Sequence, residues 1–368
     1  MNDRPDICFV SSMVYGYLNP DEATKGGGAE RQQYMIGKKL LENGHIVSYI
    51  TCSDHKKAPE YIDGFEVWGN LPESNGSLFA PYRLLKLMQI MRKVKAKKYY
   101  VRGNPFLCIS VALISKILGQ SFIYAVANDA NVDPSRSASN QDLLRRLYIW
   151  AIDQADHVTT LTESQKRILD QEYGISATVV PCGYSLPVKS DIQPPYEREY
   201  VLWVGRLTKE QKRPERYLKI VEEIPDIDFV MIGPPSGDRK WDEEIRRRAS
   251  ELENLTFKDF VPPDEIHKYY QKASVLVSTS EYEGFGNVFL EAWCYQTPVI
   301  SLRYTIDGII SNKEVGIHSS TMDQIVDDIS ALHHDEDRRQ ILGKNGRQLV
   351  SDEFSIDEVT RQLEELIA

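Results

Sequence analysis

Two glutamates, Glu283 and Glu291, bracket a pair of glycines and a short apolar run in EYEGFGNVFLEAWCY, residues 281–295. The preceding SVLVSTS is typical of a buried strand, and NVFLEAWCY has the apolar pattern of a helix. Gly284 and Gly286 would let the backbone approach a ligand closely, and the N–H groups at the helix start favour a phosphate. The residues of this predicted phosphate site are Gly284, Phe285, Gly286 and Asn287.

The two carboxylates are suited to hydroxyl groups, which can donate hydrogen bonds to them. Glu291 falls in the early turns of the predicted helix, where it could bind a ribose diol. Glu283, in the turn, could bind the hydroxyls of a sugar. The alternative is a capping arrangement, because a glutamate near a helix N-terminus is favourable by about 0.3–1 kcal/mol without any ligand. That alternative explains Glu291 well and Glu283 less well.

A second candidate is VGRLTKEQKRPERYL (204–218), in which a strand ends at Gly205 and two cations follow, Arg206 and Lys212. Such a loop at the end of a strand suits a diphosphate. Arginine offers planar bidentate donors, and lysine is a compact point charge. The alternative is a basic loop that is only solvated, and the loop by itself does not decide between the two.

A third candidate follows the first predicted strand, where a loop ends in Gly26, Gly27 and Gly28 and a helix begins. The spacing is neither GxGxxG nor a Walker A motif, so a simple dinucleotide or P-loop site is excluded. Glycines before a helix still suit the close approach of an anion or a sugar, particularly at Gly27 and Gly28. A flexible turn is the alternative.

Short strand-like runs, of which TVVPCG (178–183) is the last before residue 185, alternate with amphipathic helical patterns, which is typical of α/β proteins with helix-covered parallel sheets. The aromatic stretch HKYYQKASVL (267–276) is explained by a helix packed on the sheet, without a ligand for Tyr269 or Tyr270. The Pro-rich, charged stretch 185–199 interrupts the alternation and is the predicted linker between two doubly wound, Rossmann-like domains. We expect the first domain to span 1–184 and include 355–368, and the second to span 185–354. Ligands of such sheets bind beyond the carboxyl ends of the strands, so two facing domains would form a cleft there.

Composition excludes several classes of protein. The net charge of −10 argues against nonspecific nucleic-acid binding, which requires a basic surface. Five scattered cysteines without a CxxC pair indicate buried thiols in a reducing compartment, not a disulfide frame or a zinc site. The start MNDRPDICFVSS lacks the apolar core of a secretion signal. The apolar segment 105–119 is short and contains Lys116, so we expect a buried helix and a cytoplasmic protein.

The three motifs and a closing helix at 355–368, in this order and spacing, resemble a GT-B glycosyltransferase of the GT4 family. The matching segments are GGGAERQ…LLENGHIVSYIT, VGRLTKEQKRPERYL, SEYEGFGNVFLEAWCYQTPVIS and the closing helix, so the resemblance covers nearly the whole chain. It implies two Rossmann-like domains facing across a cleft, with the C-terminal helix crossing back to the N-terminal domain. It further implies a retaining transferase with a nucleotide-diphosphate sugar as donor, a carbohydrate or lipid-linked acceptor, and no metal or other cofactor.

The resemblance also implies a role for each motif. Arg206 and Lys212 would neutralise the leaving diphosphate, and Glu291 would bind the donor ribose. Glu283 and the backbone of 284–286 would hold the donor sugar and its phosphate, without either glutamate acting as a covalent nucleophile. The other donor-binding positions would be Gly27, Gly28, Gly205 and Asn287.

The chain departs from the family where many relatives have a histidine that faces the donor sugar. This sequence has Ala127, Asn128 and Asp129 there, and no histidine between His55 and His157. Asn128 or Asp129 would then bond the sugar, and an aspartate could also accept a proton from the acceptor. The alternatives are an Asx turn that ends the strand, and a protein of this fold that binds a nucleotide sugar without catalysis.

One segment, PYRLLKLMQIMRKVKAKK (81–98), contains seven Lys and Arg residues and no acidic residue. Its apolar face could lie on an anionic membrane, close to a lipid-linked acceptor. We favour the alternative, a helix that covers the sheet and whose basic C-terminal turn suits the helix dipole.

Overall fold

The computed structural model describes residues 4–19, 26–53, 59–72, 80–133, 142–188, 192, 197–262 and 265–368. Contacts divide the chain into two compact units, one of Met1–Gly183 with Ile356–Ala368 and the other of Tyr184–Ser355. The division falls one residue before the predicted domain boundary. Each unit has its own sheet, which confirms the predicted α/β class with two parallel-sheet domains. Part of the predicted linker 185–199 lies outside the described residues.

Eight strands form the sheet of the first unit: β1 Ile7–Val10, β2 Val47–Ile50, β3 Glu60–Ile62, β4 Phe65–Trp68, β5 Lys98–Arg102, β6 Ser121–Ala125, β7 His157–Thr160 and β8 Thr178–Val179. Their order across the sheet is β3-β4-β2-β1-β5-β6-β7-β8. All neighbours are parallel except β3, which forms an antiparallel hairpin with β4. The sequence patterns did not predict this hairpin, and the strand expected over 178–183 is reduced to the short β8.

Helices cover both faces of the first sheet. They are α1 Tyr15–Leu18, α2 Gly28–Glu42, α3 Ala80–Val94, α4 Pro105–Leu118, α5 Asp142–Asp153, α6 Glu163–Tyr173 and the C-terminal helix Ile356–Ile367. Apolar residues of α3, α4 and α5 form the core on one face, and those of α1, α2 and the C-terminal helix form the core on the other. The C-terminal helix packs against α2, so it belongs to the first unit, as the resemblance implies.

Six parallel strands form the sheet of the second unit: β9 Tyr200–Val204, β10 Phe229–Ile232, β11 Leu255–Lys258, β12 Ala273–Ser278, β13 Val299–Ser301 and β14 Gly316–His318. Their order is β11-β10-β9-β12-β13-β14. The helices are α7 Pro214–Glu223, α8 Arg239–Ser250, α9 His267–Lys272, α10 Asn287–Cys294, α11 Ile309–Asn312, α12 Met322–His334 and α13 Glu336–Glu353. Every residue of β12 is buried, as expected for a parallel strand covered on both faces.

Each sheet has one switch point, where the strand order reverses direction. In the second sheet the chain runs outward from β9 to β11 and then returns to β12, on the other side of β9. In the first sheet β1 and β5 hold the same relation. Ligands of doubly wound sheets bind outside the carboxyl ends of the strands at such a point. Arg206 follows β9 and Glu283 follows β12, so both predicted motifs lie at the switch point of the second sheet.

The cysteines and the apolar helices are placed much as the sequence predicts. All five cysteines lie in the described part of the chain and none forms a disulfide; four are buried and Cys52 is half-buried. In α3, Leu87, Met91 and Val94 are buried in the first core, as expected for a helix that covers the sheet. Within the described ranges, no helix is both long enough and apolar enough to cross a bilayer.

Candidate active site

Lys212 and Glu283 form an ion pair at the carboxyl edge of the second sheet. Lys212 Nζ lies 2.5 Å from Glu283 Oε1, and the two side chains are only 16% and 7% exposed. Gln211 Nε2 lies 3.5 Å from the other carboxylate oxygen, Oε2. The motifs after β9 and β12 therefore meet, although 71 residues separate the paired side chains. An ammonium group has three protons, so Lys212 can hold Glu283 and still donate to a phosphate.

Buried side chains fix the backbone that carries Lys212. Thr279 Oγ1 donates to the Lys212 carbonyl over 2.8 Å and accepts from Trp203 Nε1 over 3.0 Å. Thr279 and Trp203 are both buried. A Cβ atom at Gly205 would lie 3.3 Å from Lys212 Cδ, so glycine leaves room for the lysine side chain there. The ammonium group is thus held in place before any ligand binds.

The turn from β12 into α10 has the conformation that its glycine predicts. Gly286 has a φ of +87°, and a Cβ atom there would lie 2.8 Å from the Phe289 ring, so both the backbone and the space require glycine. α10 begins at Asn287. The N–H groups of its first turn therefore start at the carboxyl edge of the sheet, where they favour a phosphate.

Gly284 and Phe285 precede this turn, and other side chains fix both of them. The Gly284 carbonyl accepts a hydrogen bond from the Tyr304 hydroxyl over 3.2 Å. Phe285 is buried, and its ring packs against Phe354 with 5.1 Å between the ring centroids. Because its ring is engaged in packing, Phe285 can offer a ligand its backbone but not its side chain.

Glu291 has different partners, two buried tyrosines. Tyr184 Oη donates to Oε1 over 2.8 Å, and Tyr270 Oη donates to Oε2 over 2.5 Å. Thr297 Oγ1 donates to the Tyr270 carbonyl over 2.7 Å and so helps to position that tyrosine. A carboxylate has about four lone-pair sites, so two phenols orient Glu291 without excluding a ligand hydroxyl.

Arg206 is exposed, and its Nη1 lies 3.4 Å from the Pro235 carbonyl in the loop after β10. Asp242 orders that loop by accepting hydrogen bonds from Ser236 N over 2.9 Å and from Ser236 Oγ over 2.7 Å. Burial alone would raise the pKa of Asp242, but these hydrogen bonds hold it below its usual value. Among the described residues no carboxylate pairs with Arg206, so its guanidinium remains available to a ligand at this edge.

In the first unit, the glycine run is a compact helix start. Gly27 is the N-cap of α2, and Gly28 is its first residue. The Gly27 N–H donates to Glu30 Oε2 over 2.9 Å, and the Gly27 carbonyl accepts from Tyr17 Oη over 3.3 Å. The first N–H of this helix start is therefore already capped within the chain.

Asn128 and Asp129 lie directly after β6, where Asp129 begins a short 3-10 turn. Asn131 Oδ1 accepts from the N–H groups of Ala127 over 2.9 Å and Asn128 over 3.0 Å, so Asn131 caps the start of the 3-10 turn that it ends. Asp129 Oδ1 accepts from Gln165 Nε2 over 3.0 Å. Asn128 Oδ1 is buried and has no hydrogen-bond donor in the described part of the chain.

Sequence reasoning missed the side chains that hold these groups in place, which are Trp203, Thr279, Tyr184, Tyr270 and Gln165. Tyr270 lies in the aromatic helical stretch HKYYQK, and packing against the sheet is enough to explain the aromatic residues of that stretch. A polar group in a buried segment must find a hydrogen-bond partner, but the sequence does not name that partner. The described residues contain no group of three or more His, Cys, Asp or Glu side chains that could hold a metal ion.

Two family models together match most of the chain. The model described as Glycosyltransferase Family 4 matches residues 26–186, and the model described as Glycosyl transferases group 1 matches residues 188–349. The capsular polysaccharide biosynthesis glycosyltransferase CapM of Staphylococcus aureus is 29% identical over 171 residues, 45% of this chain and 44% of CapM. The D-inositol 3-phosphate glycosyltransferase of Corynebacterium diphtheriae is 32% identical over 163 residues, 40% of this chain and 38% of that protein. The chain thus aligns with less than half the length of either relative.

Solved structures share the fold over the full chain. Sucrose-phosphate synthase from Thermosynechococcus elongatus has a TM-score of 0.78 at 20% identity, covering 99% of this chain and 98% of that chain. Anabaena HepE, solved in complex with UDP and glucose, has a TM-score of 0.76 at 16% identity, covering 98% of each chain. At such identities the likeness establishes the fold and no more.

Proposed function

The chain belongs to glycosyltransferase family 4, and we propose that it transfers a sugar from a nucleotide-diphosphate sugar to a hydroxyl group of a carbohydrate or lipid-linked acceptor. The observation that carries the proposal is the Lys212–Glu283 pair at the switch point of the second sheet. The pair places a cation suited to a phosphate beside a carboxylate suited to sugar hydroxyls. In this proposal the second unit binds the donor and the first unit binds the acceptor.

The chemistry that these residues would supply is stabilisation of the leaving group. When the bond from the anomeric carbon to the diphosphate oxygen breaks, negative charge develops on the diphosphate. Lys212, Arg206 and the N–H groups at the start of α10 would neutralise that charge from positions fixed before the reaction. Glu283 would orient Lys212 and bind the donor sugar. Glu291, oriented by its two tyrosines, would bind the ribose diol.

We assign retention of configuration to a front-face reaction, in which the acceptor oxygen bonds to the face that the diphosphate leaves. The acceptor proton would pass to Asp129, and neither Glu283 nor Glu291 would bond covalently to the sugar. Because the protein's own cations neutralise the diphosphate, the reaction would need no metal. The proton NMR spectrum of the product gives its anomeric configuration, and turnover unchanged by EDTA is the expected result for the metal.

In the first unit, Asn128 would bond a hydroxyl of the donor sugar through Oδ1, which is buried and accepts no hydrogen bond in the described part of the chain. Asp129 would be positioned by Gln165 and could accept a proton from the acceptor. These two residues would take the place of the histidine that many relatives have. Gly27 and Gly28 would contribute backbone at the start of α2.

A thermal-shift panel of UDP-, GDP- and ADP-sugars tests donor binding. HepE was solved with UDP, so UDP-sugars are the first donors to test. A ligand at 100 times its Kd stabilises a folded protein by about 2.7 kcal/mol. We expect one class of nucleotide to raise the Tm, and Lys212→Ala to abolish the rise. Lys209→Ala, in the same loop, is the matched control; no stabilisation by any nucleotide sugar would refute the proposal.

Slow hydrolysis of the bound donor separates a working enzyme from a binding protein of the same fold. We expect release of free sugar in the absence of acceptor, and loss of this release in Lys212→Ala. Binding without turnover, across many donors and acceptors, would instead identify a catalytically lapsed protein, an alternative that the absent histidine motivates.

We further propose that α3 contacts an anionic membrane surface. Tyr82 and Leu85 on its outer side are 58% and 53% exposed, and Arg92, Lys93 and Lys95 near its end are exposed as well. Apolar and basic side chains together favour an interface with anionic lipid. Cosedimentation with vesicles that contain anionic lipid, and its loss on charge reversal at Lys93 and Lys95, are expected. No binding at low salt would refute this contact.

A further inference from the structure

Arg102 is the last residue of β5, at the switch point of the first sheet. The register pairs Val10 of β1 with Val101 of β5, so Ser11 and Arg102 are the next residues in step on neighbouring strands, which lie about 4.8 Å apart. Gln33 of α2 reaches the same place, with its Nε2 3.5 Å from Ser11 Oγ. Ser11, Arg102 and Gln33 therefore lie along the carboxyl edge of the first sheet, where a ligand of this unit is expected.

The guanidinium of Arg102 is buried without a counter-ion. Arg102 is only 8% exposed, and its Nη2 donates to Cys182 Sγ over 3.3 Å. Its Nε is buried and has no hydrogen-bond acceptor. Burial raises the pKa of both the Cys182 thiol and the nearby Tyr100 hydroxyl, so both groups are neutral at pH 7. In the described ranges, no carboxylate lies within ion-pair distance of Arg102.

An arginine stays charged in proteins, and a buried charge without a partner costs several kcal/mol. The Cys182 thiol is a weak acceptor, and the Tyr100 hydroxyl, which also interacts with Arg102, is neutral, so neither supplies a counter-charge. Arg102 Nε lacks an acceptor, whereas Gln33 lacks a donor: Gln33 is 2% exposed, and no group in the described chain donates a hydrogen bond to its Oε1. A ligand with an anionic oxygen and a neighbouring hydroxyl would satisfy both, the oxygen accepting from Arg102 and the hydroxyl donating to Gln33.

Burial lowers the pKa of Arg102, but Cys182, Tyr100 and, as the weakest contributor, the Glu30 carboxylate in the first turn of α2 raise it above its usual value. Glu30 Oε2 is engaged by the Gly27 N–H at 2.9 Å. A bound anion would feel the negative charge of Glu30 as a repulsion. Removing that charge should therefore strengthen anion binding, whereas removing the charge of Arg102 should weaken it.

We propose that Arg102, with Gln33 and Ser11, binds an oxyanion of the acceptor, so that the acceptor is a phosphorylated or carboxylated hydroxyl compound. This rests on the proposed function, because it names the class of acceptor for the same reaction. Arginine binds both anions through its planar fork of N–H donors. If Arg102 only joined β5 to the segment that contains Cys182, its substitution would not change the affinity for an anion.

The test is calorimetric titration of the full chain with sodium phosphate and, separately, with sodium glucuronate. A Lys212→Ala background removes the paired cation of the second unit. Saturable binding of either anion is expected, and the stronger binder identifies the source as phosphate or carboxylate. Arg102→Gln should weaken binding at least tenfold, and Arg102→Lys should restore part of it. Arg239→Gln, an exposed arginine on α8, should leave binding unchanged.

Glu30→Gln keeps the helix cap and should tighten binding about threefold, in the opposite direction to Arg102→Gln. This variant keeps the test decisive if Arg102→Gln does not fold. Equal anion affinities in the Lys212→Ala background with and without Arg102→Gln, no change on adding Glu30→Gln, or no binding of either anion would overturn the inference. With Lys212 in place, nucleotide binding by Arg102→Gln should match the wild type; absence of nucleotide binding in the wild-type protein would refute the proposed function instead.

Discussion

The carboxyl edges of the two sheets differ in how their polar groups are paired. At the second sheet, Lys212 is paired with Glu283, and Glu291 accepts from two tyrosines. At the first sheet, Arg102 Nε and Gln33 Oε1 are buried without partners in the described part of the chain. A buried polar group left unpaired costs about 1–3 kcal/mol. Lys212, Glu283 and Glu291 are paired without a ligand, although Asn287 Oδ1 at the same edge is buried and unpaired in the described chain, whereas Arg102 and Gln33 are not fully satisfied.

This difference indicates two ways of preparing a ligand site. The second edge is organised before binding, which suits a charged diphosphate whose leaving must be assisted at once. The first edge becomes fully satisfied when a ligand supplies the missing partners, which suits recognition of one class of acceptor. Substitution of Lys212 at the second edge should therefore change the kinetic constants for the donor, and substitution of Arg102 at the first edge those for the acceptor.

The largest effect is expected at Lys212 and Arg206. Replacement of either by alanine should slow transfer by about two orders of magnitude, because a fixed positive charge beside the leaving diphosphate is lost. Steady-state kcat/KM for the donor is the measurement, and Lys209→Ala is the control. Unchanged turnover in both variants would mean that the diphosphate is bound elsewhere.

Tyr270→Phe should raise the donor KM about tenfold and change kcat little, since it removes one hydrogen bond to a charged carboxylate that binds ribose equally in ground and transition states. Glu291→Ala should raise the donor KM further. Tyr269→Phe, at the neighbouring position, is the matched control. A reduced kcat with an unchanged donor KM would contradict the ribose role of Glu291.

Asn128→Ala should raise the donor KM about fivefold, the cost of one neutral hydrogen bond to the donor sugar, and leave the acceptor KM unchanged. Initial rates measured against each substrate in turn give both constants. A raised acceptor KM with an unchanged donor KM would contradict this role of Asn128.

The smallest effect concerns stability under acid. His333 Nδ1 lies 2.8 Å from Ser274 Oγ in the second unit, and burial, with the charges of His334 and Arg339, lowers the pKa of His333 to about 4. The unfolded chain binds this proton first, near pH 6.5, so stability is full above that pH and is lost as pH falls towards 4.

The contribution of His333 to this loss should be about 0.5–1 kcal/mol, because the side chain is partly exposed and solvent screens it. Urea unfolding of the wild type and His333→Gln at pH 7 and pH 5 measures it. The two proteins should differ less at pH 5 than at pH 7; a constant difference would contradict the low pKa.

Some elements were predictable because their signals are local. Apolar runs predicted β9 and β12, and Gly286 predicted the turn before α10. The β3–β4 hairpin was missed although its turn is Asp63-Gly64, a strong hairpin signal, since its strands are short and carry charge. The strand predicted over 178–183 is longer than the two-residue β8. An edge strand pairs only as far as its neighbour extends, and the sequence does not show where the neighbour ends.

By itself the sequence determined which residues stand at the ends of strands and starts of helices, because periodicity and glycine act over a few neighbouring positions. Only the tertiary structure decided their partners: Lys212 with Glu283, Tyr184 with Glu291 at 107 residues' separation, and Arg102 with the thiol of Cys182 at 80. Such pairings follow from strand order, register and rotamer together. No local pattern encodes these three pairs. For the same reason the aromatic pattern around Tyr270 predicts its packing but not its hydrogen bond to Glu291.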